Sequence, residues 1–204
     1  MKKFKFFYLK KKKIPKLKKV DKERRMDYAS EMMNTNWKAV LFTDEKSFWL
    51  GTEAEYAWQK LDHRVEVETE KWTPKLHVWG GIGYYFKSKL YFFEENMKAK
   101  LYQKILRKRL PPTPAPDCPK RLKQKWVFLQ DNDPKHKSKK SMEVVEELTE
   151  NRFHKHPPYS PDFNIMEDVW SYLDRKVRES KVTSIRGLKT KLTFLWNQIT
   201  WDQF

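Results

Sequence analysis

The 204-residue sequence predicts an α/β fold, a mixed sheet flanked by helices, and three observations carry that prediction. Two short, continuous apolar runs, AVLFT (39–43) and WVFLQ (126–130), have the length and content of strands covered on both faces. Segments with apolar residues at helical spacing alternate with further short strand-like runs. The chain is 39% hydrophobic, with 9 Trp, 13 Phe and 9 Tyr, enough to build one sizeable core.

In order along the chain, a helix is expected over 22–33, and AVLFT then forms a strand that ends at Asp44. Residues 45–75 alternate aromatic and charged side chains and read as irregular hairpin strands. LHVWGGIGYYF (76–86) and KLYFFEE (89–95) read as two strands joined by a tight turn, with Gly80–Gly81 marking a bulge or a close backbone approach. Leu101, Ile105, Leu106 and Leu110 recur at helical spacing until PPTPAPDCP (111–119) stops the helix. After the strand 126–130 come a helix over 138–149, a short strand within 151–155 and the irregular HPPYSPDF (156–163), whose three prolines fix φ and remove donors. A helix over 164–179 presents Ile165, Val169, Trp170, Leu173 and Val177 on one face, and a last helix carries Leu188, Leu192, Leu195, Trp196 and Ile199.

Charge and cysteine content narrow the function. The net charge is +17, which calls for a polyanionic partner, nucleic acid or an acidic membrane surface. Residues 1–25 alone hold 13 Lys/Arg against 2 acidic residues, and Lys10–Lys13 suits nuclear import or contact with a DNA backbone. No apolar run is long enough to span a bilayer, and FKFFYL near the N-terminus is too short for a secretion signal. Cys118 is the only cysteine, which excludes a disulfide framework and a cysteine-based zinc finger.

The two central strands each lead to an aspartate, Asp44 and Asp131. Parallel neighbours would bring both to the carboxyl edge of the sheet, where open α/β sheets place ligands. A third carboxylate, Glu167 or Asp168, could reach that edge from the helix after HPPYSPDF. Three converging carboxylates repel one another unless a cation sits among them, and all-oxygen ligands select Mg²⁺ or Mn²⁺ over zinc. Metal-assisted phosphoryl displacement on a phosphodiester is the chemistry that fits both the acids and the positive charge.

Three blocks, LFTDEKSF (41–48), FLQDNDPKHKS (128–138) and HPPYSPDFNIMEDVW (156–170), resemble, in order, the catalytic blocks of the Tc/mariner superfamily of DDE transposases. The intervening 79–106 and the preceding IPKLKKVDKERRMDYASEM (14–32) are also similar to the corresponding regions of that family. The resemblance implies a ribonuclease-H-like fold, with Asp44, Asp131 and Glu167 as the catalytic and metal-holding acids. It implies Mg²⁺ or Mn²⁺, DNA as partner (transposon ends and target), a homodimer contacting through 45–75, and residence in the nucleus. It divides the chain into a basic segment (1–25), a catalytic domain (26–180) and a C-terminal helix (181–204) packed on or following it.

Other polar residues near the blocks have local readings. Asp133 before Pro134 reads as a helix cap, and His136 as a phosphate contact or a support behind the acids. Asp162 is expected to cap the following helix, while Asp168 and Glu45 should point away from the site. Basic stretches at 98–109, 120–125 and 135–140 are placed to steer DNA.

Two departures from the family stand out. Asn164-Ile165-Met166-Glu167 has isoleucine where the family has a proline that favours the first turn of a helix. Full-length members also carry two helix-turn-helix units ahead of the catalytic domain, and the 43 residues before Asp44 leave no room for both. The leading expectation is metal-dependent DNA cleavage and strand transfer. The alternative is an inactive or host-retained remnant that acts as a basic DNA-binding module.

Overall fold

Strand β1 (Val40–Trp49) is the axis of the sheet in the computed structural model, which describes residues 17–50 and 74–200. On one side β1 pairs antiparallel with β2 (Lys75–Ile82), from Phe42↔Ile82 to Trp49↔Lys75. On the other side it pairs in parallel with β6 (Val127–Gln130), from Val40↔Val127 to Phe42↔Leu129. Beyond β2 lie β3 (Phe86–Lys87) and β4 (Tyr91–Phe93), and β5 (Thr113–Pro114) pairs with β3. Beyond β6, β7 (Phe153–Lys155) closes the opposite edge in parallel. The sheet is therefore mixed, in the order β5-β3-β2-β1-β6-β7, with β4 also on β2.

Side-chain alternation along the strands splits the core into two layers. Val40, Phe42, Val78 and Leu129 face α6 (Met166–Glu179) and α7 (Ile185–Gln198), where Trp170 and Trp196 stack with centroids 6.1 Å apart. Leu41, Trp79 and Phe128 face α2 (Ala99–Arg109) and α5 (Lys139–Thr149), against Tyr102, Ile105, Leu106 and Val145. Helix α1 (Lys19–Met32) lies before the sheet, and the short α3 (Lys120–Lys123) and α4 (Pro134–Lys137) flank β6. Among the described residues no helix is long and apolar enough to cross a membrane.

Three local expectations are corrected. The strand beginning near residue 39 does not end at Asp44 but runs to Trp49, because β2 supplies antiparallel partners for every residue after the parallel pairing with β6 has stopped. The tight turn comes earlier than expected, at Tyr84–Tyr85, where Gly83 N–H donates to Phe86 O at 2.7 Å. The Gly80–Gly81 pair does mark a close approach, since a Cβ on Gly81 would lie 2.8 Å from Thr43 Cγ2. Gly83 is tighter still, its Cβ position falling 2.0 Å from the Val40 carbonyl oxygen. The third correction concerns Asp162, which caps no helix: its carboxylate takes both Nη atoms of Arg25, at 2.8 and 2.6 Å. The run Lys10–Lys13 and the greater part of 45–75, with the dimer contact expected there, lie outside the described residues.

Candidate active site

A cleft of about 410 Å³ opens at the end of the β1–β6 parallel pairing, and Asp44, Asp131 and Glu167 all line it. Asp44 projects from β1 two residues past Phe42, the last residue paired with β6, and Asp131 follows the last residue of β6. Glu167 comes from the first turn of α6, where a carboxylate also suits the positive end of the helix dipole. Asp168, its neighbour, is exposed and is not part of the cleft lining.

Helix α6 is held in place by Asn164, a residue the sequence reading passed over. Its Oδ1 accepts from Met166 N–H at 3.1 Å, and its Nδ2 donates to the Thr43 carbonyl at 3.3 Å. One side chain thus fastens the start of the Glu167 helix to the strand residue before Asp44. Ile165 adopts φ −57°, a value a proline would also take, so the missing proline leaves the backbone path unchanged. Thr43 in turn donates its hydroxyl to the Leu129 carbonyl at 2.8 Å, locking β1 to β6 just below the acids.

Asp44 is partly buried, and Trp170 Nε1 donates to its Oδ2 at 3.0 Å. Burial, followed by the charges of Glu45, Glu167 and Asp131, pushes the Asp44 carboxyl up to about 7. Spacing marked Trp170 only as a core residue, although its position three residues after Glu167 puts it on the same side of the helix.

Asp131 is the opposite case. Burial raises its carboxyl, but the hydrogen bond and charge of His136, with the Asp133 amide and Lys135, outweigh burial and hold it at about 2. His136 Nδ1 donates to Asp131 Oδ1 at 2.5 Å, and Nε2 donates to Glu45 Oε1 at 2.9 Å. Burial works against charge on this imidazole, but two flanking carboxylates win and lift it to about 9. Glu45 does leave the Asp44 face of the sheet, as alternation requires, yet it remains tied to the site through His136, correcting the expectation that it points elsewhere. Asp133 caps α4 as expected, accepting from Lys135 N–H at 2.9 Å.

The donor set is all oxygen, and a partly buried Asp44 among like charges, hydrogen-bonded by a neutral indole, is what a divalent cation would relieve. Among the described residues no three acidic, His or Cys side chains close into a cage around an ion. An open set fits Mg²⁺, which keeps several waters and needs only one or two carboxylates.

The family model described as DDE superfamily endonuclease matches residues 39–189. The chain is 28% identical over 188 residues to the Tc3 transposase of Caenorhabditis elegans, covering 89% of this chain and 56% of that one. It is 25% identical over 189 residues to the Tcb1 transposase of Caenorhabditis briggsae, covering 88% and 67%. Among solved structures, a Mos1 transposase paired-end complex superimposes with a TM-score of 0.76 at 17% identity, over 95% of this chain and 60% of that one. The Mos1 transposase catalytic domain, solved with raltegravir and Mg, gives 0.67 at 16% identity, over 91% and 87%. These likenesses show the ribonuclease-H-like fold. The chain spans about half the length of the Tc3 transposase it matches. The order of its three blocks agrees with the family match, and the chain, similar to the Tc3 and Tcb1 transposases, belongs to the DDE superfamily endonucleases.

Proposed function

We propose that this chain is the catalytic domain of a DNA transposase, cleaving phosphodiester bonds at the ends of an element and joining the freed 3′ hydroxyl to target DNA. The observation that carries this reading is the convergence of Asp44, Asp131 and Glu167, from three separate segments, on one cleft. Structural neighbours of this chain were solved with transposon ends and with Mg or Mn, which supports DNA as substrate and either ion as cofactor.

Asp44, Asp131 and Glu167 would hold the cation. Mg²⁺ or Mn²⁺, when bound, supplies activation of the attacking oxygen and neutralisation of charge on the phosphate. The remaining work falls to the chain itself. Trp170 fixes the Asp44 carboxylate, and His136 orients Asp131 while Glu45 holds the far side of the imidazole. Asn164 sets the height of Glu167 above the strand. No side chain serves as nucleophile in this scheme. The exposed cations within 98–109, 120–125 and 135–140 would draw DNA to the chain by their charge. A homodimer and a nuclear location complete the proposal.

A nicking assay on labelled duplex DNA in Mg²⁺ or Mn²⁺ tests it. Wild-type protein should nick, and Asp44→Asn and Glu167→Gln should each reduce nicking to background. Unchanged nicking in either variant removes that acid from the triad. DNA binding by the wild type with no cleavage in either ion would leave the binding-module alternative.

A further inference from the structure

Tyr159 combines three properties that a residue kept for folding alone would not need together. It lines the acid cleft, and it is 62% exposed, an aromatic ring left open to solvent beside three carboxylates. Its backbone is left-handed, with φ +52°. A bulky side chain is strained there relative to a relaxed backbone.

The other non-glycine residues with positive φ among those described are Glu150, Asn151 and Lys181. Each follows the end of a helix, α5 or α6, where a left-handed residue is a common stop. Tyr159 follows no helix; it sits between Pro158 and Ser160, four residues past the end of β7. Its conformation is imposed from outside: Arg25, on α1, donates from Nη1 to the Tyr159 carbonyl at 3.0 Å. The same guanidinium forks onto Asp162 and lies over the Phe163 ring, 4.9 Å from its centroid. The Ser160 hydroxyl closes the turn onto the Pro158 carbonyl at 2.9 Å. Arginine, serine and two prolines thus hold a strained aromatic residue facing the substrate cleft.

We propose that Tyr159 is a stacking platform for a nucleobase of the DNA strand lying in the cleft, held in place by Arg25. The inference rests on the reading that this cleft takes DNA. An aromatic face accepts any base, so such a platform positions the strand without reading its sequence. Strain fixes where the ring stands before DNA arrives, which spares the ordering cost on binding. Arg25 is a positioning residue in this scheme, acting through the Tyr159 backbone.

The test separates strain from stacking, because glycine relieves one and removes the other. The full chain is titrated, in EDTA, with a single-stranded oligonucleotide bearing 2-aminopurine, reading both affinity by anisotropy and quenching of the base. Wild type and Tyr159→Phe should bind alike and quench. Tyr159→Gly should melt at a higher temperature than wild type while binding about tenfold or more weakly and leaving the 2-aminopurine bright. Arg25→Lys, which cannot fork, should fall between the two. If Tyr159→Gly binds and quenches like wild type, there is no stacking; if it melts lower than wild type, the residue is structural and the proposal fails. Omitting the metal keeps the acid triad out of the readout. Wild-type protein that binds without quenching overturns this inference alone, whereas wild-type protein that does not bind DNA at all overturns the DNA reading with it.

Discussion

Trp170 and Asp44 are joined by a 3.0 Å hydrogen bond from the indole Nε1 to Oδ2, linking the helix that carries Glu167 to the central strand. Trp170 is otherwise a core residue, stacked on Trp196 and edge-on to Phe48. The substitution Trp170→Phe keeps an aromatic ring in the core and removes the donor. Loss of a hydrogen bond to a charged, partly buried acceptor predicts destabilisation of about 1.5–3 kcal/mol, and the smaller ring adds a packing loss. Nicking should fall by more than the loss of folded protein explains, because Asp44 is no longer oriented. Denaturation curves and nicking rates on the same preparations check this.

The partly buried Asp44 also sets the response to metal and pH. Its folded-state pKa, about 7, lies above its ordinary value of 3.8, so the unfolded chain releases this proton first as pH rises. The contribution of Asp44 therefore makes the metal-free protein progressively less stable as pH rises from about 4 to about 7, and the loss persists above pH 7. A cation held among the acids would reverse that loss. Saturating Mg²⁺ should raise the melting temperature by several degrees, on the order of 5 °C, at pH 8 and by much less at pH 5. Asn at position 44 should make the metal-free protein more stable at pH 8 and abolish most of the Mg²⁺ response. Thermal melts with and without Mg²⁺ at the two pH values decide it; an equal shift at both would refute the assignment of Asp44 as a ligand.

How much of this site was legible in the sequence depended on how local its cause was. Asp133 could be read as a cap because the proline beside it and the amide it accepts lie within two residues. The strand 126–130 and the helix before Glu179 were legible from short apolar runs and a 3.6-residue period. The length of β1 was not, because its second half exists only by pairing with β2, whose residues lie roughly 30 positions away. The Asn164–Thr43 bond spans 121 positions and the Glu45–His136 bond 91, distances no pattern within one window reports. Trp170 was assigned by its period to the core, and correctly, but periodicity locates a side chain's face and says nothing of its single polar atom.

His136 stands between two carboxylates, and its contribution can be isolated by a double-mutant cycle. With both ring nitrogens donating, the imidazole is cationic, and removing it leaves Asp131 and the largely buried Glu45 facing each other across the vacated space. Replacing His136 by Phe should cost about 3–5 kcal/mol, because a buried carboxylate loses its partner. The milder change Glu45→Gln should cost less, and the two together less than their sum, with a coupling of roughly 0.5–3 kcal/mol. Nicking in the Glu45→Gln variant should drop about 10- to 100-fold, as expected when support behind a metal ligand is removed. Urea denaturation of the four proteins gives the coupling, and simple additivity would mean that Glu45 and His136 do not act together.

The Arg25–Asp162 fork connects α1 to the turn before Glu167, and pH can resolve its parts. The hydrogen bond and charge of Arg25 hold the Asp162 carboxyl below its ordinary value despite some burial. A carboxylate with a depressed folded-state pKa adds stability that is present above its unfolded pKa and is lost as pH falls through the folded one. Asp162 is 55% exposed, so solvent screening limits the pair to about 0.5–1 kcal/mol. The variant Asp162→Asn should therefore be less stable than wild type by that amount at pH 7 and indistinguishable from it once the pH is below the ordinary carboxylate range. Arg25→Gln should be less stable at both, because the bond to the Tyr159 carbonyl and the contact with Phe163 do not depend on the ionisation of Asp162. The difference between the two variants at low pH measures the grip of Arg25 on Tyr159. Equal stabilities there, by calorimetry, would show that α1 holds the turn through Asp162 alone.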